Sequence, residues 1–519
     1  MFKPGMEWPP KPYARALNQI ARDAAWLTGD LNQIREQTHQ PAPRPYTSRA
    51  QFNGGLVGAT ARGVFGRPQI TNGSATIERH LPLAAELAEA KGSMMLGHPP
   101  AFTLHPDDAT NEKADEVLQA AVSTDQYAAA LTQMGTRLSG LGWTYGKLVW
   151  NLDVDPLPWI EWVDPDQGVA EFANGRVTQI HFWDTYTHDR DTYRLIQTHR
   201  PGRIEYQLYK GTDVALGMTV PVTECPETEY LADMLDMDAG INTGTEWLTA
   251  VMIPNRDQNL HWRTDPLLRY YGMSDIQAAS GLLQDVDKAY TELWHEMDSG
   301  RARLLISEEF MHHGGPGSGQ VFDWWRDVYP LTQGGSPDEA GRIERVQFDL
   351  RTEAYLTALD FPIMRTIGAF GLSPITVGMD STASGEMTAT EIKARSTRTL
   401  NTFNTTARHL RSGLSAIETA RLALTAHLHG FTPPTKPVNV ALVEPVQETE
   451  RDRSAMVQEW HSSDSASTRT RVRTLHPEWT KEEVEEEVAE ILRERREGMP
   501  VDPFTLTPDT PPLGMVEEG

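Results

Sequence analysis

Between Ser274 and Gly300, SDIQAASGLLQDVDKAYTELWHEMDSG, apolar residues return every seven positions at Ile276, Leu283, Tyr290 and Met297, with Ala279, Val286 and Leu293 between them. This spacing lays one narrow apolar stripe along a helix. Ser274 and Gln277 have the spacing of a capping box, and Gly300 is placed to end the helix. The opposite face carries Asp285, Asp287, Lys288, Glu292, Glu296 and Asp298 and is predicted to face water. An ordinary amphipathic core helix fits this stretch alone equally well. Beyond Gly300 the pattern changes: Arg303 to Ile306 reads as a strand, His312 to Gln320 as a Gly-rich loop, and VFDWWRDVY, Val321 to Tyr329, crowds four aromatics into one short run. A second helix is predicted from Leu350 to Phe370, interrupted at Pro362 and closed by Gly371 and Pro374. Two long helices flanking a compact β-rich insert make a hairpin with a small head.

Upstream, helical spacing runs from Tyr13 to Gln37, from His80 to Gly97 and from roughly Glu112 to Leu138, with a Pro-, Gly- and Arg-rich irregular stretch from Pro41 to Gly73. Strands follow at Trp143–Leu152, Trp159–Val163, Ala170–Phe172, Val177–Trp183, Thr192–Gln197 and Ile204–Lys210, with Asn174-Gly175 as a hairpin signal. They predict a meandering antiparallel sheet. A polar, acidic loop from Glu224 to Gly244 leads through WLTAVMIPN to the helix at Ser274. Downstream, Thr376 to Met387 is small, polar and Gly-bearing, which predicts a moving loop. Thr388 and Glu391 then cap a third long helix reaching His429, stopped by Gly430, with Ile392, Leu400, Phe403, Leu410, Leu414 and Ile417 on its apolar face. PVNVALVEPV is a strand candidate, short helices follow, one capped by Thr480 and Glu483, and the Pro-rich, acidic last twenty residues are expected to be disordered.

At 519 residues the chain exceeds one compact core and predicts two to four domains. Its single cysteine, Cys225, excludes an internal disulfide and Cys-rich metal modules, which fits a reducing compartment. No cationic start precedes an apolar run, and no stretch offers about eighteen uncharged apolar residues, so neither a signal peptide nor a membrane span is expected. The net charge of −25, from 72 acidic against 47 basic residues, changes the picture more. Proteins that grip DNA replace counterions with Lys and Arg, and this chain would repel the phosphate backbone. Either it meets no nucleic acid, or it meets DNA that must slide without being held.

Catalytic and cofactor motifs are not found. Gly142 to Leu148, GWTYGKL, is one residue short of a phosphate-binding loop and ends in Leu where a Mg²⁺-binding hydroxyl belongs, so a strand reads better. Gly314 to Gly319 lacks the frame of a dinucleotide loop. Asp153, Asp155, Asp164 and Asp166 are interrupted by prolines and read as turn residues. His312-His313 lacks a helical i, i+4 partner, and Cys225 lies in an acidic loop that would raise its pKa, so neither a zinc site nor a catalytic thiolate is expected. The chain is read as a non-enzyme with no cofactor and no metal.

Several phrases, in order, resemble one family. They are MMLGHPPAFTL from Met94, GLGWTYGKLVW from Gly140, GVAEFANGRVTQIHFW from Gly168, IPN from Ile253, YGMSDIQAASGLLQDVDKAY from Tyr271, TATEIKAR from Thr388 and LHPEWTKEEVEEEV from Leu475. Together they cover nearly the whole chain, and they resemble the phage portal proteins of the SPP1 type in the versions carried by long-tailed phages of actinobacteria. The resemblance implies an α+β, multi-domain, ring-forming fold, commonly of twelve copies, with a helical wing, an antiparallel wing sheet, two stem helices, a small α/β clip, a long kinked wing helix and a helical crown. By order these map to a wing at 1–273, stem helix 1 at 274–300, clip at 301–348, stem helix 2 at 349–372, tunnel loop at 373–387, long wing helix at 388–430, crown at 431–498 and a disordered tail at 499–519.

The implied role is a ring at the unique capsid vertex that passes viral DNA during packaging and ejection, in the virion and, during assembly, in the host cytoplasm. The implied partners are further copies of the chain, the terminase large subunit, then the head-tail connector, the major capsid and scaffold proteins, and double-stranded DNA read without sequence specificity; no membrane is implied. The stem positions are Ile276, Leu283, Val286, Tyr290 and Leu293, a seam that tiling around an axis would bury while like charge keeps the duplex centred. Thr376, Val377, Met379, Asp380, Ser384 and Glu386 fall in the tunnel loop, and Lys393, Arg395 and Arg398 offer either a thin band of phosphate contacts or an ordinary solvated helix face. In the clip, Phe322, Trp324, Trp325 and Arg326 form either a partner surface or a local mini-core. Competing readings are a shorter head-tail adaptor ring, the packaging ATPase-nuclease, and a nonviral acidic scaffold; length argues against the first and the missing phosphate loop against the second.

Overall fold

The computed structural model describes residues 2–38, 79–151, 154–188, 191–256, 259–299, 303–306, 312–313, 320–321, 343–346, 350–379, 389–445, 450–476 and 479–497. The chain is α+β, with helices and antiparallel sheets in two compact units: Met1–Thr382 with Arg395–Pro445, and Ala383–Ala394 with Val446–Gly519.

The first unit opens with α1 (Ala14–Thr28), α2 (Leu31–Thr38), α3 (Leu83–Leu96), β1 (Ala101–Thr103), α4 (Glu112–Val122) and α5 (Asp125–Leu141). Helices α3 and α5 cross so closely at Gly92 and Gly135 that a Cβ on Gly92 would lie 2.5 Å from the Thr136 backbone nitrogen. Only glycine permits that approach. The expected strands divide into two sheets rather than one. Strand β2 (Trp143–Val149) is central in a three-stranded sheet, between β3 (Trp159–Val163) and β10 (Ala250–Pro254). Its residues Trp143 to Leu148 are all buried, as a strand covered on both faces requires. The predicted meander is the other sheet, β4 (Gly168–Ala173), β5 (Arg176–His188), β6 (Asp191–Arg200), β7 (Arg203–Thr212) and β8 (Ala215–Val220), with β9 (Gly240–Asn242) added to β7. Asn174 and Gly175 make the β4–β5 turn with φ of 52° and 86°, the two positive values of a type I′ hairpin.

The acidic stretch from Glu224 is not an open loop. It carries a 3₁₀ helix, Pro226–Asp233, anchored by buried Cys225, Thr228 and Leu231, and it rejoins the sheet through β9. Apolar residues spaced along an acidic sequence decide this, because burying them outweighs keeping the carboxylates fully solvated.

Two long helices follow, α6 (Asp275–Ser299) and α7 (Thr352–Ala369). They run antiparallel: Arg351, at the start of α7, binds Glu296 near the end of α6 through two hydrogen bonds of 3.1 and 3.2 Å. At the other end, Arg256 joins Asp275 to the Ala369 carbonyl. Pro362 does not interrupt α7. The helix continues through it, and Thr366 donates its hydroxyl to the Pro362 carbonyl at 2.7 Å. It ends in a Schellman turn, Leu372 N to Ile367 O at 3.1 Å and Gly371 N to Gly368 O at 2.9 Å, with Gly371 at φ 79°. Of the insert between the two helices, β11 (Arg303–Ile306) pairs antiparallel with β14 (Ile343–Val346), and β12 (His312–His313) with β13 (Gln320–Val321). Gly314 to Gly319, the aromatic residues Phe322, Trp324 and Trp325, and Arg326 lie outside the described residues.

The third long helix is two. A short α8 (Ala389–Arg395) precedes α9 (Thr397–His429), separated at buried Ser396; the capping pair Thr388 and Glu391 falls on positions whose side chains are not described. Phe403, Leu410, Leu414 and Ile417 on α9 are fully buried, while Ile392 and Leu400 are half-buried. Residues 431–445, expected with the crown, belong to the first unit, where β15 (Asn439–Ala441) pairs with β1. The second unit contains α10 (Glu450–Ser462), α11 (Thr468–Leu475) and α12 (Lys481–Glu497). A full capping box starts α12: Thr480 N donates to Glu483 Oε2 at 2.7 Å, and Glu483 N to Thr480 Oγ1 at 3.3 Å. The tail 499–519 lies outside the described residues.

Candidate functional site

The centre of the first unit is the start of α6, where a carboxylate is buried among cations. Asp275 has no exposed side-chain surface and accepts from Lys91 Nζ at 2.7 Å, Ser139 Oγ at 2.7 Å and Arg256 Nε at 2.7 Å. Lys91, on α3, also donates to Asn255 Oδ1 at 3.0 Å, and Asn255 Nδ2 reaches the Met273 carbonyl at 3.1 Å. Burial alone would raise the Asp275 carboxyl, but the Lys91 ammonium and the Arg256 guanidinium outweigh it and hold the group below the usual carboxylate range. Burial pulls Lys91 down, against the opposing pull of Asp275. One residue further back, Ser274 Oγ accepts from Gln277 N at 2.8 Å and donates to Asp23 Oδ2 at 2.7 Å, so the N-cap also ties α6 to α1. Burial pushes Asp23 up to about 7, only partly offset by hydrogen bonds from Ser274 and Gln19. The reciprocal half of the predicted capping box is absent, because the Gln277 side chain accepts from Asn259 Nδ2 at 2.9 Å instead. Five segments (α1, α3, α5, α6 and the strand-to-helix link at 255–256) therefore converge on two buried carboxylates, and Arg256 extends the cluster to the end of α7.

The seam expected to lie between copies is covered within the chain. Ile276, Leu283 and Val286 pack with Leu359, Ile363 and Ile367 of α7 and with Trp26, Leu83 and Leu87; Tyr290 is partly buried against the same cluster, and Leu293 is buried. The supposed solvent face is also partly used: Asp287 accepts from Leu81 N at 3.0 Å and contacts His80 Nδ1 at 2.8 Å, and Glu296 holds Arg351. Asp285, Lys288 and Glu292 do face outward. What is left uncovered is Met297 near the end of α6, 40% exposed, and on α7 Leu356, Phe361 and Met364, 51%, 69% and 38% exposed. Burying Leu359, Pro362, Ile363, Thr366 and Ile367 turns Phe361 and Met364 away from the seam, whereas Leu356, on the same face as Leu359 and Ile363, is exposed near the start of α7.

The start of the expected tunnel loop is hydrogen-bonded to α9. Thr376 and Val377 lie in a 3₁₀ turn, Pro374–Val377, whose Thr376 hydroxyl meets Thr399 Oγ1 at 2.7 Å while Ser373 N donates to the same oxygen at 2.8 Å. Val377 packs on the stem cluster and Met379 is 40% exposed; Asp380, Ser384 and Glu386 lie outside the described residues. Thr399→Val leaves the buried Ser373 N–H without its acceptor, so a stability loss of about 1–3 kcal/mol is expected, read as a lower urea midpoint. Of the basic trio, Lys393 is exposed on α8, Arg395 is half-buried at its end, and Arg398 is exposed on α9 beside Gly368 of α7.

The near-match to a phosphate loop is strand β2, with buried Lys147 directed at Glu161 (3.3 Å) and Gln197 (3.4 Å). Asp155 accepts from Leu157 N at 2.8 Å as a turn residue, Asp164 pairs with Arg137 at 3.5 Å, and Asp153 lies outside the described residues. Burial pushes the Cys225 thiol up, and Glu227 adds to the shift. Sequence reasoning missed Lys91, Asp275 and Arg256; the available signal was a lysine set among apolar and small residues in LAAELAEAKGSMML.

Among the described residues no helix is long and apolar enough to cross a membrane. No protein-family model matches the chain, and no curated protein does. Solved structures that align with it include three from gene transfer agent particles. A chain from the virion of a native gene transfer agent particle is 14% identical with a TM-score of 0.39, over 84% of this chain and 96% of that one. A chain from the neck of an empty gene transfer agent particle, in C6 symmetry, is 12% identical with a TM-score of 0.42, over 79% and 94%. A chain from the neck of a native particle, in C12 symmetry, is 11% identical with a TM-score of 0.37, over 84% and 96%. Superpositions this loose do not establish a shared fold or a shared role.

Proposed function

We propose that the chain is a portal-type protein, which assembles into a ring at a capsid vertex, lets duplex DNA through without gripping it, and serves as the docking platform for the packaging motor and then the connector. The observation that carries this reading is the antiparallel pair α6 and α7. Their mutual seam is saturated, and one end is fixed by the Asp275 cluster, yet α7 turns Leu356, Phe361 and Met364 to solvent. A monomer gains nothing from that row. A neighbouring copy would cover it, and repetition of the same contact about an axis closes a ring. The outward charges suit a second copy: Asp285 and Glu292 on α6 and Glu353 and Asp360 on α7 can meet Lys288 and Arg365 across the contact.

The net charge of −25 supplies the second half of the role, since a wall of like charge repels phosphate and favours sliding over static binding. In this reading the hydrolysis that drives packaging belongs to the motor. The test is direct imaging of the purified full chain by negative stain down the axis, together with its mass in solution. Closed annuli of about twelve copies are expected. A monomer under every assembly condition removes the proposal, and ATP hydrolysis by the pure chain would favour the packaging ATPase instead.

A further inference from the structure

We propose that His188, Cys225 and Glu227 form a binding site for a thiophilic divalent transition ion, with Zn²⁺ as the representative. His188 is the last residue of β5, at the β5–β6 hairpin tip. Cys225 and Glu227 flank Pro226 at the start of the 3₁₀ helix Pro226–Asp233. The chain path brings these separated segments together so that one ligand atom from each side chain lies within 4.8 Å of the other two. Glu227 Oε2 is the meeting point, 2.7 Å from His188 Nε2 and 3.1 Å from Cys225 Sγ.

The donor set selects the ion. Imidazole nitrogen, thiolate sulfur and carboxylate oxygen suit zinc and its neighbours, and exclude Ca²⁺ and Mg²⁺, which take oxygen shells. A tetrahedral ion with bonds of about 2.0–2.3 Å separates its ligand atoms by roughly 3.3–3.7 Å, so admitting it asks the two short contacts to open by less than about 1 Å. The His188 and Glu227 side chains are 39% and 42% exposed, which gives the required freedom and leaves a fourth position to water, while Cys225 is buried beneath them. On binding, the thiol proton leaves to solvent and the sulfur–metal bond takes its place, so thiolate and carboxylate neutralise the two charges of the ion. The site would fasten the segment after β8, with its exposed Tyr230, Met234 and Met237, to the hairpin tip. It was invisible in the sequence because zinc motifs are recognised by short spacing, and here the imidazole and the thiol lie 37 positions apart.

The test uses the full chain, stripped with chelator and titrated with Co²⁺. One equivalent is expected to bind with the sulfur-to-cobalt charge-transfer absorption of a tetrahedral thiolate site, and Zn²⁺ is expected to displace it. Cys225→Ser should abolish that band, and His188→Gln and Glu227→Gln should each weaken binding by roughly 10-fold or more. Because His188 and Glu227 are partly exposed, their variants report on the site even if the buried cysteine change disturbs folding; circular dichroism checks this. Absence of saturable Co²⁺ binding, a spectrum without the sulfur band, or unchanged affinity in His188→Gln and Glu227→Gln would overturn the site and leave a hydrogen-bonded trio.

Discussion

Asp275→Ala is expected to destabilise the first unit by about 3–5 kcal/mol, because it strands the Lys91 ammonium, 2% exposed, and removes the main partner of Arg256. Against a typical stability of about 5–15 kcal/mol this is a large share, and partial unfolding at 37 °C follows. Lys91→Met should cost less, since the carboxylate it leaves behind keeps Arg256 and Ser139. The ordering is the informative part. An anchor centred on the carboxylate makes the aspartate change the worse of the two, whereas a merely well-packed site would make both small. Urea unfolding of the full chain followed by tryptophan fluorescence measures both, and a loss under about 0.5 kcal/mol for Asp275→Ala would show that the cluster does not hold the helix pair.

Phe361→Asp combined with Met364→Asp is expected to give a folded chain that no longer assembles. Phe361 is 69% and Met364 38% exposed in the isolated chain, so the monomer loses little packing. In a ring each contact would bury these side chains, and loss of a buried aromatic anchor costs about 2–4 kcal/mol per interface. That corresponds to roughly 30- to 1,000-fold weaker association at every junction. Mass measurement at fixed concentration should therefore move from the assembled species to the single chain while the unfolding midpoint stays within a few degrees. Rings of normal mass from the double variant would place the contact between copies elsewhere. The control is Glu116→Ala on α4, an exposed carboxylate that is no part of the proposed contact and whose removal should leave assembly intact.

Local order was readable wherever one chemical signal decides. The 3.5-residue repeat from Ile276 to Leu293, the Asn174-Gly175 turn, the Gly371 and Gly430 stops and the Thr480–Glu483 box each specify their own backbone, because the partner atoms lie within a few residues. The long helices and the meander of β4 to β8 follow from such signals. Other local expectations failed where a distant partner intervened. Pro362 does not break α7, since packing of Leu359, Ile363 and Ile367 against α6 offsets the loss of its donor. Thr376 is hydrogen-bonded to Thr399 and Val377 packs on the apolar cluster of the helix pair, and the acidic stretch after Cys225 is folded by its sparse apolar residues.

The sequence by itself determined the element types, the helix–insert–helix order, the acidic balance and the resemblance that suggested a ring. Only the tertiary structure decided which surfaces remain free. A hydrophobic stripe says that something will cover it, and says nothing of whether the cover is the same chain or the next one. Here α7, α1 and α3 take up the Ile276–Val286 seam, and the residues left exposed are Phe361, Met364 and Leu356 of α7 and Met297 near the end of α6. The Lys91–Asp275–Arg256 cluster and the His188–Cys225–Glu227 trio have the same origin: burial and charge act through space, and the spacing of residues along a chain does not record which of them folding will bring within 3 Å.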